Sequence, residues 1–320
     1  MLSRVANSIY WMSRYVERAE NLARFMEVTL NVMLDLPDRS VQQWEPLVRA
    51  TGDEEYFGNR YPDFSADHVR QFLTFDREYH SSILTSITLA RENARTVREV
   101  ISSEAWEQLN AFYHFIRNAS HTVGTSPPAT FYDEIVTHSY LFNGIVDATM
   151  THDAGWHFAN VGRLLERADK TSRILDVKYF TLHRRLEDVD TTFDDLLWSA
   201  VLRSASGFEM FRKRYHTLTV HRIVEFLILN RSFPRSVRYC IDQVRASLSA
   251  IPGPVDQGGN PALRIAEAMA DRLEQTDVHS IINGGVHEFV DALQTSLNDV
   301  GGAIRDTYFA LRKFPERQPA

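Results

Sequence analysis

The chain has 320 residues, 44% of them hydrophobic and 24% charged, and a net charge of −7. That length supports one large core or two domains, and the acidic balance argues against holding nucleic acid through overall charge. The one cysteine, Cys240, excludes an internal disulfide and a multi-cysteine zinc site, so a reducing compartment is expected.

The N-terminus reads "MLSRVANSIYWMSRYVER". Arg4, Asn7 and Ser8 stand where a signal peptide needs an unbroken apolar run. The aliphatic run Phe226 to Leu229 is too short to span a bilayer. A cytoplasmic protein without a membrane role is expected.

The next segment, "RYVERAENLAR", predicts a helix. On a wheel of about 100° per residue, Met12, Val16, Ala19, Ala23, Met26 and Leu30 form one apolar arc. Trp11, Tyr15, Leu22 and Phe25 extend it. Arg18 falls inside this arc, whereas Glu17, Glu20, Asn21 and Arg24 occupy the remaining face. An arginine among apolar side chains must find acceptors, because an unpaired buried charge costs several kcal/mol.

Further along, "DFSAD" places Asp63 and Asp67 around Ser65, and "DVDTTFDDLLW" places Asp190 and Asp194 around Thr191 and Thr192. Such Asp-x-x-x-Asp pairs hold magnesium diphosphate in all-helical prenyl-transferring enzymes. Here both fall where helices should begin, so the capping reading is preferred. "ARENARTVREVISSEAW" carries Arg91, Arg95 and Arg98 on one helical stripe beside an apolar face, with Asn93 between them. The stripe suits a phosphate or carboxylate, or salt bridges to Glu17, Glu20, Asp76 or Glu166. Gly and Pro cluster near 126, 251–261 and 283, and helical spacing fills the stretches between. The prediction is an all-α protein of roughly ten to twelve helices.

The chain also repeats itself. At an offset of 149, Arg14, Glu17, Arg18, Ala19, Glu20, Arg24 and Val28 match Arg163, Glu166, Arg167, Ala168, Asp169, Arg173 and Val177. In the second segment Glu166 lies beside Lys170 and Arg173, and Arg167 close to Ile174. At an offset of 154, Trp44, Arg49, Phe72, Leu73, Arg77, Ser82 and Arg91 match Trp198, Arg203, Phe226, Leu227, Arg231, Ser236 and Arg245. The expected organisation is two homologous helical-bundle halves, 1–150 and 151–320, packed about an internal pseudo-twofold axis into one compact domain. Two readings of the Glu-Arg pairs stay open. They are buried partners fixing how the halves dock, or they line a shared pocket; their presence in both halves favours docking.

No Glu or Asp has a His three residues later, so the two-metal helical-bundle signature is missing and no metal is expected. No Gly-rich phosphate loop or G-x-S-x-G elbow is present, and Cys240 reads as a core residue. No cofactor is expected.

"LSRVANSIYWMSRYVERAENLAR", "ARENARTVREVISSEAWEQLN", "GRLLERADKTSRILD" and "FLILNRSFPRSVRYC" together resemble the bacterial alpha-E family, over about residues 2–310. His80 stands in the first half where the second has Pro234. The resemblance implies a helical domain working with a circularly permuted ATP-grasp protein and a transglutaminase-like protein in a peptide- or amide-forming modification system. It puts forward Glu17, Arg18, Glu166 and Arg167, with Arg91, Asn93, Arg95 and Arg98 behind them; Arg14, Arg163 and Asp76 join these as candidate binding or inter-half pairing residues. A non-catalytic binding role near the duplicated Glu-Arg helices is the first expectation, and an oligomer stays open. The alternative is an enzyme with an inter-half Glu/Arg acid-base and anion-binding pocket.

Overall fold

A computed structural model describes residues 1–35, 44–122, 127–183, 192–253 and 259–310, with the side chains of 35, 178–183 and 192–194 outside that description. Asp190 and Thr191, and the side chains of Thr192 and Asp194 expected to cap and open a helix, therefore lie outside the described residues. The described chain is all-α, with no strand. It has fifteen α-helices rather than ten to twelve, because short helices of five to seven residues connect the long ones.

Two long helices, α1 (Ser3–Asp35) and α8 (Ala154–His183), pack against each other along the centre. The apolar arc of α1 supplies the reason: Met12, Val16, Ala19, Ala23 and Met26 are fully buried. Gly162 of α8 sits where a Cβ would lie 2.3 Å from the backbone oxygen of Tyr10. Only a residue without a side chain lets the two backbones approach this closely.

The remaining helices are α2 (Glu45–Thr51), α3 (Glu54–Gly58), α4 (Ala66–Arg70), α5 (Ile83–Arg95), α6 (Ser103–Thr122) and α7 (Ala129–Thr149) before α8. After it come α9 (Thr192–Ser204), α10 (Phe208–Arg214), α11 (Val220–Val224), α12 (Val237–Ala250), α13 (Pro261–Gln275), α14 (Val278–Gly284) and α15 (Val286–Ile304). Helices α5 and α7 flank α1, as α12 and α15 flank α8. The short helices cross over: α2 packs on α8, and α9 packs on α1. One continuous apolar core runs through all of this. No described helix is long and apolar enough to cross a membrane.

The blocks matched at an offset of 154 adopt the same local structure. Helix α4 continues into a π turn, Gln71–Phe75, and α11 into Glu225–Leu229. Asp76 Oδ1 then accepts the backbone N–H of Glu78 and Tyr79, and Asn230 Oδ1 accepts those of Ser232 and Phe233. Ser82 caps α5 through the N–H of Thr85, and Ser236 caps α12 through that of Tyr239. Phe72 stacks on Tyr79 at 3.9 Å, and Phe226 on Phe233 at 4.4 Å. Ser65 caps α4 through the N–H of His68, and Asp63 accepts from Ser65 and His68, which is capping geometry.

Candidate functional site

Arg18 finds its acceptor on the other long helix. Its Nε donates to Glu166 Oε1 at 2.7 Å and an Nη to Oε2 at 3.1 Å, a two-point grip. Arg167 returns the arrangement, donating to both oxygens of Glu17 at 2.8 Å. Each Glu-Arg pair is thus split across α1 and α8. Glu17 and Glu166 are essentially unexposed.

The supposed polar face of α1 is also buried. Glu17, Glu20, Asn21 and Arg24 are 0, 0, 2 and 7% exposed. Covering them is Arg235, which precedes α12 and bonds Glu17, Glu20 and Asn21. Arg24 bonds Glu20 and the Tyr140 hydroxyl. Burial pushes the Glu17 carboxyl up, but the Arg167 and Arg235 guanidiniums outweigh it and hold the pKa at about 2. Glu166, opposed in the same way by burial and by Arg18, Arg14 and Lys170, lies well below the usual carboxylate range.

The surroundings of the two glutamates differ. Glu166 also receives Arg14 at 2.9 Å, and it opens onto a cavity of about 520 Å³. Arg14, Arg18, Lys170 and Arg173 line it, with Asp169 between the last two. Tyr10 and Trp11 back Arg14, its guanidinium carbon 5.5 and 5.0 Å from their ring centres. The opposite wall carries Asp53, His80 and Ser81, and the rim carries Gly301, Gly302 and Arg305. On the Glu17 side, the space beside Arg163, Asp147 and Trp156 is a residual cavity of about 10 Å³, while Arg24, further along α1, lines a separate cavity of about 490 Å³ with Arg203 and Ser206.

The other residues singled out from sequence go elsewhere. Arg91 bonds Asn110 and Glu92 and lies over Trp106 and Tyr113. Arg95 pairs with Glu92, Arg98 lies over Trp106, and Asn93 bonds the Leu89 carbonyl on its own helix. None of the four lines the cavity, and the stripe does not reach Glu17, Glu20, Asp76 or Glu166. Arg95 finds its acceptor within one helical turn, and Arg91 divides its donors between Glu92 and Asn110 of the next helix. Asp76 serves its turn, with Tyr61 Oη donating to it at 2.9 Å. Arg163 donates to Asn160 at 2.7 Å; burial and the nearby Arg167 lower its pKa.

The residues missed from sequence are Arg235 and Ser81, whereas Lys170 and Arg173, read as lying beside Glu166, do line its cavity. One signal was available: at an offset of 154 Ser81 falls on Arg235, so the two halves differ where one cluster opens. Ser81 Oγ accepts from Arg18 at 3.2 Å, and no hydrogen bond joins it to His80 among the described residues. Asp53 accepts from Tyr79 Oη at 2.7 Å. A Ser-His-Asp relay is therefore not assembled. No group of metal-ligating side chains occurs among the described residues.

A family model describing a predicted alpha-helical domain with a conserved ER motif matches residues 1–309. The chain belongs to this Alpha-E family. The Glu17-Arg18 and Glu166-Arg167 dipeptides carry the Glu-Arg pattern here. Among curated proteins, an uncharacterized protein of Mycobacterium bovis is 23% identical over 96% of this chain and 37% of its own length. An uncharacterized protein of Mycobacterium tuberculosis strain H37Rv matches to the same extent. The Alpha-E chain thus spans a little over a third of the relatives it matches. No solved structure matches.

Proposed function

We propose that this Alpha-E protein is a cytoplasmic, non-catalytic binding module of a peptide- or amide-forming modification system. Its partners are an ATP-grasp protein and a transglutaminase-like protein, and it presents a partner segment or substrate in the cavity beside Glu166. The observation that carries this reading is the unequal fate of two like clusters. Around Glu17 itself only about 10 Å³ remains beside Arg163, and the cluster meets a larger space, about 490 Å³, only at Arg24. The Glu166 cluster lines a polar cavity of about 520 Å³, within the size range of small-ligand sites.

The organisation behind it is an internal duplication with pseudo-twofold symmetry. Equal boundaries of α4 and α11 and of the π turns after them at an offset of 154, the shared starts of α5 and α12, the matching turn chemistry and the exchanged Glu-Arg grips support that organisation. A role inside a larger assembly is supported by the relatives, in which such a domain makes up 37% of a longer chain.

Catalysis by the glutamates fits poorly. Glu17 has no access to solvent, and a carboxylate held well below its ordinary pKa is a weak base. The test is co-purification of the tagged full chain with the ATP-grasp and transglutaminase-like proteins of the same organism, followed by mass analysis of any peptide carried along. Stoichiometric co-elution is expected. Elution of the Alpha-E protein alone under conditions where both candidates are expressed and soluble refutes the reading.

A further inference from the structure

The two clusters contain the same balance of charge at their cores. Around Glu17 and Glu20 stand Arg24, Arg163, Arg167 and Arg235. Around Glu166 and Asp169 stand Arg14, Arg18, Lys170 and Arg173. Each core therefore holds four cations against two carboxylates. The Glu17 cluster has a further carboxylate beside it: Asp147 faces Arg163 across the residual cavity.

The matching position beside Glu166 carries no acid. Helices α7 and α15 align at an offset of 155, with Phe142-Asn143 on Leu297-Asn298 and Ala148 on Ala303. Val146 and Asp147 then fall on Gly301 and Gly302. At the other offsets Trp156 falls on Asn7, and Arg235 on Ser81. All four of these positions near Glu166 line the open cavity, and all four carry the smaller residue. At these positions the Glu166 side lacks a carboxylate, a valine, an indole and a guanidinium, while Tyr10 and Trp11 there are larger than their counterparts Ala159 and Asn160. Only Asp53 adds an acid to the lining, and Tyr79 already donates to it.

The cations have donors to spare. Arg173 uses only its Nε, on Asp169, and its two terminal nitrogens make no hydrogen bond among the described residues. Arg14 and Arg18 use their remaining donors on Tyr10 and Ser81 without exhausting the five that each guanidinium carries.

We propose that this cavity is an oxyanion site. It takes a peptide carboxylate or a phosphate group where the missing counterpart of Asp147 would stand, gripped by Arg173 with Arg14 and Arg18. The proposal deepens the binding role above and rests on the same cavity.

Calorimetric titration of the full chain at low ionic strength tests it, with inorganic phosphate in one arm and tri-glutamate in the other. Saturable binding is expected in at least one arm, and the tighter arm identifies the source. Gly302→Asp restores the acid that the other cluster has, in a position where nothing lies within 4 Å of the new Cβ. It should weaken binding by about tenfold or more, the effect of placing a competing charge on the arginines. Ser81→Arg should do the same by filling the cavity. The remote Arg98→Ala should leave affinity unchanged. Absence of saturable binding in both arms overturns the proposal, as does binding that Gly302→Asp leaves within about twofold. The partner test reads separately: intact co-elution without anion binding removes the oxyanion site alone, and anion binding without co-elution removes the partner reading alone.

Discussion

Replacing Glu17 by Gln removes the charge at the centre of its cluster while keeping the size of the side chain. The carboxylate is fully buried, and two arginines, Arg167 and Arg235, depend on it. Its pKa, held at about 2 against an ordinary 4.5, corresponds to about 3 kcal/mol of preference for the charged form in the folded state. Stranding buried arginines brings the expected loss at pH 7 to about 3–5 kcal/mol. With an unfolding entropy of about 2 cal/mol/K per residue, each kcal/mol moves the melting temperature of a chain this long by about 1.5 °C. Glu17→Gln should therefore melt about 5–7 °C below the wild type at pH 7. The sign with pH follows from the lowered pKa. The stabilisation is complete above the unfolded value and is lost as pH falls towards about 2. At pH 3 the gap between wild type and variant should shrink by about half or more. Scanning calorimetry at the two pH values reads both numbers. A variant that melts within 1 °C or so of the wild type at pH 7, or a gap that does not change with pH, would refute the docking role of the Glu17-Arg167 grip.

Three further outcomes follow from the packing. Gly162→Ala places a methyl group 2.3 Å from the Tyr10 carbonyl oxygen and must push α1 and α8 apart, so a loss of about 2 kcal/mol or more is expected in denaturant unfolding. Ser206 sits at φ 50 at the end of α9, where the first half has Gly52 at φ 81; Ser206→Gly should raise stability by about 1 kcal/mol in the same assay. Burial raises the Cys240 thiol to about 12, so the native protein should resist a thiol reagent at pH 8 and react fully only once denatured.

The helical class was legible because it rests on periodicity, and the paired caps and turns because they rest on matched spacings, neither of which needs knowledge of what packs on what. Arg18 was legible as a buried cation because the wheel puts it among Phe25, Trp11 and Tyr15. The face holding Glu17, Glu20, Asn21 and Arg24 was not, since a polar face looks solvated unless its cover is known. That cover comes from Arg235, Arg167 and Tyr140, which lie 116 residues or more away. The Arg91, Arg95 and Arg98 stripe misled for the opposite reason. Its partners were Glu92 within one turn and, on the following helix, Asn110 and aromatic rings, so it did not reach the Glu-Arg clusters.

Under the proposed duplication, the difference between the halves lies in the same alignment of matched positions. Identical positions such as Ser82 and Ser236 report what the fold requires of both copies, namely caps, turns and stacked rings. Positions that differ report where the copies have parted. Ser81 against Arg235, and Gly302 against Asp147, alter charge and volume beside otherwise matching clusters, and they do so on the same side. A stability requirement alone would have closed both clusters, because filling a cavity and pairing a charge each lower the free energy of the folded state. In the proposed reading, an oxyanion from outside the chain fills the space beside Glu166, where four cations stand around two carboxylates.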